Sequence, residues 1–339
     1  MSAQLFLAAT GSGLARAARS GDAWVVEDLL AGRDVRCLAA DPLGAGTVYA
    51  GTQGEGVLRS DDGGRSWRQA GLEGHVIKSV AASPLVPGTA YAGTKPALVF
   101  RSRDGGETWR ELEGFRRIRS RRLWFSPAEK PGTAYVQALA LSPADPDVLL
   151  AGIEFGAVVR SADGGETWSG HRRGARRDCH SLAFHAVDGG WAYEGAGNGG
   201  GAFSRDGGRS WRHPKEGLDR RYGWAAAADP ARPEVRYLSA APGPGKAHGS
   251  KPAEACIFRA IGDGPWERLA GGLPQPLDYM PYALLTERES PGEVYAGLAN
   301  GEVWHSADLG ETWTKLPLDL TALRALLLLR GPVSSARSP

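Results

Sequence analysis

SDDGGRSW at 60–67 recurs four more times: SRDGGETW at 102–109, SADGGETW at 161–168, SRDGGRSW at 204–211 and SADLGETW at 306–313. Each copy reads S-x-D-x-G-x-[ST]-W. Five copies in one register make this a repeat protein, and the repeat has to be read before any single residue. The motif predicts a tight turn. Ser and Asp side chains accept backbone N–H groups inside such a turn, and glycine supplies positive φ. The tryptophan is expected to open the next strand and to give each repeat a large buried anchor. Two worn copies complete the series: IGDGPW at 261–266 and ARSGDAW at 18–24. The tryptophans in register are therefore Trp24, Trp67, Trp109, Trp168, Trp211, Trp266 and Trp313.

Outward from the turn, each repeat reads as four short strands separated by Gly/Pro turns. The first complete one runs VRCLAAD, TVYAGT, GVLRS and SWRQA. Four strands per unit predict the blade of an all-β propeller, and seven units predict seven antiparallel blades. The N-terminal LFLAATGSGLARA matches the second and third strands of a blade and lacks an inner strand. LTALRALLLL at 320–329 supplies one, so the last blade is expected to be a composite of both termini, which closes the ring and removes a free edge. Residues 1–330 are expected to form one propeller domain and 331–339 a disordered tail.

The motif resembles the Asp-box, or BNR, repeat of the sialidase and glycosyl-hydrolase-like superfamily and of the photosystem II assembly-factor propellers. The resemblance implies that the box is structural, so its aspartates are not catalytic candidates. A sialidase would also carry an F/Y-R-I-P segment near its start. Here the nearest string, FRAIGDG at 258–264, is a worn box, and authentic sialidase activity is not expected.

Both long insertions, 110–136 and 240–255, fall on the face opposite the boxes, here called the top. There, three successive crossings between blades carry Arg116, Arg117, Arg119, Arg121, Arg122, then Arg172, Arg173, Arg176, Arg177, then Arg220 and Arg221. The chain as a whole is nearly neutral, with 40 Lys+Arg against 38 Asp+Glu, so these clusters are local. Arginine suits carboxylates and phosphates.

Aligning the inner strands gives a channel-facing column of Arg36, Lys78, Gln137, His180, Trp224, Tyr282 and Arg324. Asp178 stands two residues before His180, and Glu154 and Asn198 sit in neighbouring top loops. Asp178, His180 and Glu154 are the candidate acid/base residues. Arg36, Lys78, Gln137, Arg177, Asn198, Tyr222, Trp224, Tyr282 and Arg324 are the candidate ligand-binding residues. Asp-x-His with one distant Glu is a thin metal pattern, so no metal or cofactor is assigned.

The expected partner is an anionic or carbohydrate-like small molecule at the channel mouth, bound and open to hydrolysis. The alternative is a non-catalytic scaffold whose arginine-rich top meets an acidic protein surface. Nucleic acid is not expected at a net charge of +2. Three widely spaced cysteines fit a reducing compartment, and neither a secretory signal nor a spanning segment is legible, so the expected location is cytoplasmic.

Overall fold

The computed structural model describes residues 3–331 except 22, 129, 250 and 251. Seven antiparallel sheets follow one another around a ring. Blade 1 joins the two ends of the chain: Ala325–Gly331 pairs with Ala3–Ala9, followed by Leu14–Ser20 and Ala23–Leu29. Blades 2 to 7 begin with the inner strands Val35–Ala40, Val76–Ala82, Val136–Leu141, Cys179–Phe184, Tyr222–Asp229 and Pro281–Thr286. In blades 4 and 5 the fourth strand is reduced to a few ladder bonds, such as Ser169 N–H to Arg160 O at 2.9 Å and Arg212 N–H to Phe203 O at 2.8 Å.

The closing strand starts later than its leucine-rich sequence suggests and runs through Gly331. That residue therefore belongs to the sheet and not to a tail, and the rest of the expected tail lies outside the described residues. No described helix is long and apolar enough to cross a membrane.

The repeated turn is a hydrogen-bonded knot. Ser60 Oγ accepts the Gly64 amide at 2.9 Å and donates to Asp62 Oδ1 at 2.7 Å. Asp62 in turn accepts the Ser66 amide and hydroxyl at 2.9 and 2.6 Å. The Trp67 indole N–H caps the Gly64 carbonyl at 3.0 Å. Gly63 and Gly64 hold φ of 72° and 81°, a region costly for residues with a Cβ. At 306–313 the first of these positions is Leu309, which adopts φ 65° regardless. The knot also holds its carboxylates ionised: the Thr108 and Thr312 hydroxyls are the leading cause of Asp104 and Asp308 falling to about 2.

Trp211, Trp266 and Trp313 are buried, whereas Trp24, Trp67, Trp109 and Trp168 are only partly so. Their place on the outermost strand leaves one side open to water. The core is anchored instead by the second-strand column Phe6, Tyr49, Tyr91, Leu150, Tyr193, Tyr237 and Tyr295, none more than 3% exposed.

Blades are tied to each other by arginine. Arg16, Arg59, Arg101, Arg160 and Arg259 each donate to the carbonyl of Gly63, Gly105, Gly164, Gly207 and Leu309, the same turn position of the next blade, at 2.6–3.2 Å. Blade 5 has Phe203 at the matching place, and Arg236 from blade 6 covers that ring at 4.0 Å. Arg101→Ala is expected to cost about 2–4 kcal/mol in denaturant unfolding, because it strips a buried charge-assisted bond and the packing of the stem. Arg110→Ala, on an exposed partner of the same Glu166, is expected to cost no more than about 0.5 kcal/mol.

Candidate functional site

The inner strands of blades 2 to 7 share one irregularity that the sequence does not advertise. Their pairing with the second strand slips between Val35 and Cys37, Ile77 and Ser79, Val136 and Ala138, Cys179 and Ser181, and Pro281 and Ala283. The skipped residues are Arg36, Lys78, Gln137, His180 and Tyr282. In blade 6 the slip spans Trp224 and Ala225. A bulge leaves one residue unpaired and re-aims its side chain. Six of the seven column residues thus sit at bulges, which lets charged and aromatic residues stand on otherwise buried strands, while Arg324 lies just before the closing strand Ala325–Gly331.

Six members of that column, Arg36, Lys78, Gln137, Trp224, Tyr282 and Arg324, line one cavity of about 230 Å³, together with Tyr135. Asp34 bridges two of the cations, Arg36 at 2.7 Å and Arg324 at 2.8 Å. Lys78 Nζ sits 4.3 Å from the centre of the Tyr135 ring. The cavity wall therefore combines three cations with three aromatic rings, and one carboxylate sets the spacing of the arginines.

His180, the seventh member, turns away into the wall. Its Nδ1 lies 2.8 Å from the Gly223 carbonyl of the next blade. A carbonyl only accepts, so Nδ1 carries the proton and Nε2 presents a lone pair. Glu154 and Asp178 each place a carboxylate oxygen 3.6 Å from Nε2. The three candidate acid/base residues therefore meet. Asp178 precedes the strand Cys179–Phe184 rather than lying on it, so the pair converges through the bulge at His180 and not through simple alternation along a strand.

Burial dominates the electrostatics here. It lowers His180 to about 4 and raises Asp178 to about 6, the latter opposed by a hydrogen bond from the Phe155 backbone. The His180 side chain has no exposed surface. Trp224 covers its ring at 4.3 Å and Tyr222 at 5.0 Å. A substrate in the cavity would meet the rings of Trp224 and Tyr282 before it met the imidazole.

The second insertion contributes a residue that sequence reasoning missed. His248 stacks on Tyr282 at 5.7 Å and bridges two hydroxyls, Tyr222 at 2.7 Å and Tyr282 at 2.8 Å. The Tyr282 hydroxyl donates to Ala247 O, so His248 Nδ1 donates to Tyr282 and Nε2 accepts from Tyr222. Burial lowers the His248 pKa, consistent with this neutral ring. Only its position in a histidine-bearing insertion on the same face as the column hinted at this role.

Other candidates lie elsewhere. Arg177 donates to the Gly156 carbonyl at 3.2 Å, and Asn198 lines a separate cleft with Arg176, Lys215 and Arg221. Arg172 and Arg173 were expected on the top. They run instead beside the repeated turn of blade 5, where Arg172 donates to Arg209 O at 3.0 Å and the Trp211 amide donates to Arg173 O at 2.9 Å. The outer strand climbs from the box side to the top, and these residues lie partway along it. The remaining basic cluster is real: Arg116, Arg117, Arg119, Arg121 and Arg122 line a pocket of about 810 Å³. Within it Arg121 donates to Ala97 O at 2.7 Å and Arg116 pairs with Glu111.

No protein-family profile matches this sequence, and no curated protein is similar enough to match. Solved structures do match. An ancestral GH74 enzyme superposes with a TM-score of 0.63 at 18% identity, over 87% of this chain and 38% of that one. The GH74 xyloglucanase from Xanthomonas campestris gives 0.61 at 21%, over 83% and 45%. YCF48 bound to D1 peptide gives 0.56 at 16%, over 88% and 93%. This chain spans less than half of each GH74 chain. At these identities the likeness is one of fold, shared by propellers of both kinds.

Proposed function

We propose that this propeller binds a small anionic ligand at the mouth of its central channel, one whose carboxylate or phosphate meets Arg36, Lys78 and Arg324 while a sugar or flat ring packs on Trp224, Tyr282 and Tyr135. The observation that carries this reading is the convergence of those cations and rings on a single cavity of about 230 Å³. That volume lies below the roughly 300–1,000 Å³ of drug-sized sites and suits one ring with its charged group. Asp34 pre-sets the arginine spacing, so little order is lost on binding. Glycosyl-hydrolase-like propellers among the structural neighbours make a carbohydrate acid a reasonable member of this ligand class.

A panel of glucuronate, glucose 6-phosphate and glucose, read by thermal shift, tests the reading. The two anions are expected to raise the midpoint and glucose to leave it unchanged. Equal shifts for all three would refute the assignment.

The pocket of about 810 Å³ beside the channel favours a second reading, in which five arginines receive an acidic segment of a protein partner. YCF48 bound to D1 peptide, a structural neighbour, offers a precedent for a peptide partner. An acidic peptide bound through this pocket would weaken on Arg119→Glu and Arg122→Glu and stay unaffected by Arg324→Ala.

A further inference from the structure

We propose that Glu154, Asp178 and His180 form a binding site for one divalent transition-metal ion of the zinc or manganese type, walled off from the ligand cavity by Trp224 and Tyr222. The inference is independent of what occupies the mouth. It starts from two orphaned atoms. His180 Nε2 and Asp178 Oδ1 are buried and have no hydrogen-bond partner among the described residues. Both side chains are more than nine-tenths buried, as is that of Glu154. Buried polar atoms are almost always satisfied, so two orphans aimed at one point call for an occupant.

The chemistry of the point names the occupant. Gly223 O fixes the His180 proton on Nδ1, so Nε2 offers only a lone pair. That lone pair faces two buried carboxylate oxygens, an arrangement that repels unless a proton or a metal ion lies between them. Histidine ligands to metals usually have this second hydrogen bond, which sets tautomer and ring orientation. The distances agree. At 3.6 Å the two contacts to Nε2 are too long for hydrogen bonds. They match the edge of a coordination polyhedron, since ligands about 2.0–2.2 Å from a tetrahedral ion lie roughly 3.3–3.6 Å apart. All three donor atoms fall within 4.8 Å of one another. One imidazole nitrogen with two carboxylate oxygens suits zinc or manganese better than the all-oxygen shell of magnesium or calcium.

The backbone around the cluster is built to leave room for it. A Cβ at Gly197 would stand 2.2 Å from Asp178 Oδ2 and 2.6 Å from His180 Cε1. The loop bearing Glu154 turns through Phe155, which adopts φ 48°. A phenylalanine in that region is strained, and such strain gathers where a local geometry is held for use.

The experiment uses the whole chain, stripped with EDTA and exchanged into chelator-free buffer. Zn²⁺, Mn²⁺ and Mg²⁺ are then titrated separately by calorimetry, with metal content counted per chain. The expected result is one equivalent of Zn²⁺, weaker binding of Mn²⁺, no saturable Mg²⁺, and a melting midpoint several degrees higher with Zn²⁺. Asp178→Asn and His180→Gln are expected to weaken Zn²⁺ at least 100-fold while keeping the wild-type circular dichroism. If either variant fails to fold, Mn²⁺ bound to the wild type decides, through the electron-spin-echo signature of one directly coordinated imidazole nitrogen. Sub-stoichiometric uptake, undiminished binding in folded Asp178→Asn, preference for Mg²⁺, or no nitrogen coupling would overturn the proposal.

Discussion

Glu194→Gln is expected to stabilise the protein by about 3–5 kcal/mol at pH 8 and by almost nothing at pH 4. Glu194 stands on the second strand of blade 5, where blades 2, 3, 4 and 7 have Ala50, Ala92, Ala151 and Ala296. It is completely buried. The Arg176 amide donates to Oε2 at 2.9 Å, and Oε1 has no hydrogen-bond partner among the described residues. Burial raises its pKa from 4.5 to about 8, against the opposing pull of the Arg176 backbone and charge.

The direction of the pH dependence follows from that shift. The unfolded chain ionises Glu194 near 4.5, while the folded chain holds its proton up to about 8. Below 4.5 both states are protonated and the residue costs nothing by ionisation. As pH rises from 4.5 through 8, the unfolded state gains its charge freely and the folded state does not, so stability falls by about 1.4 kcal/mol per pH unit. Glutamine keeps the shape and removes the titration. Chemical denaturation of both proteins at pH 4, 6 and 8 measures the widening gap. A gap independent of pH would mean that Glu194 is ionised in the fold.

The second large effect belongs to the channel mouth. Arg36→Ala with Arg324→Ala is expected to weaken an anionic ligand by at least 100-fold, since a single charge-assisted bond contributes about 1.5–3 kcal/mol. Stability should change little, because the contacts of both arginines with Asp34 are partly exposed. Asp34→Asn acts on charge and positioning together. It removes the carboxylate that neutralises the two guanidiniums and raises the charge at the mouth by one, so anion binding should become more salt-sensitive while the arginine spacing loosens.

The propeller was legible because the repeat carries its own chemistry. Ser60, Asp62, Gly64 and Trp67 can satisfy one another only in a turn, and their recurrence counts the blades. The composite closure was legible from a missing inner strand at one end and a spare one at the other. The channel column was legible from aligned residues. The bulges beneath it were not, since a skipped pairing leaves no trace in alternation over so short a strand. The meeting of Asp178, His180 and Glu154 followed from topology, but their burial did not. It depends on Trp224 and Tyr222 from the next blade, which look equally suited to face the channel.

Arginine was the hardest residue to read. Loop clusters drew attention as a basic face, yet Arg172, Arg176, Arg177 and Arg220 each donate to a backbone carbonyl. The inter-blade links of Arg16, Arg59, Arg101, Arg160 and Arg259 sit one to three residues before each turn and were hidden by the attention the turn itself attracts. In a near-neutral chain rich in arginine, many guanidiniums tie the scaffold together. Those that line the mouth are distinguished by facing a cavity, not by number.

Calorimetric titration of glucuronate into the wild-type protein and into the Arg36→Ala/Arg324→Ala variant, at low and moderate salt, tests the anion site most directly. One site per chain, weakened by salt and lost in the variant, is the predicted result. Saturable binding that the variant retains, or no preference for glucuronate over glucose in the wild type, would contradict it.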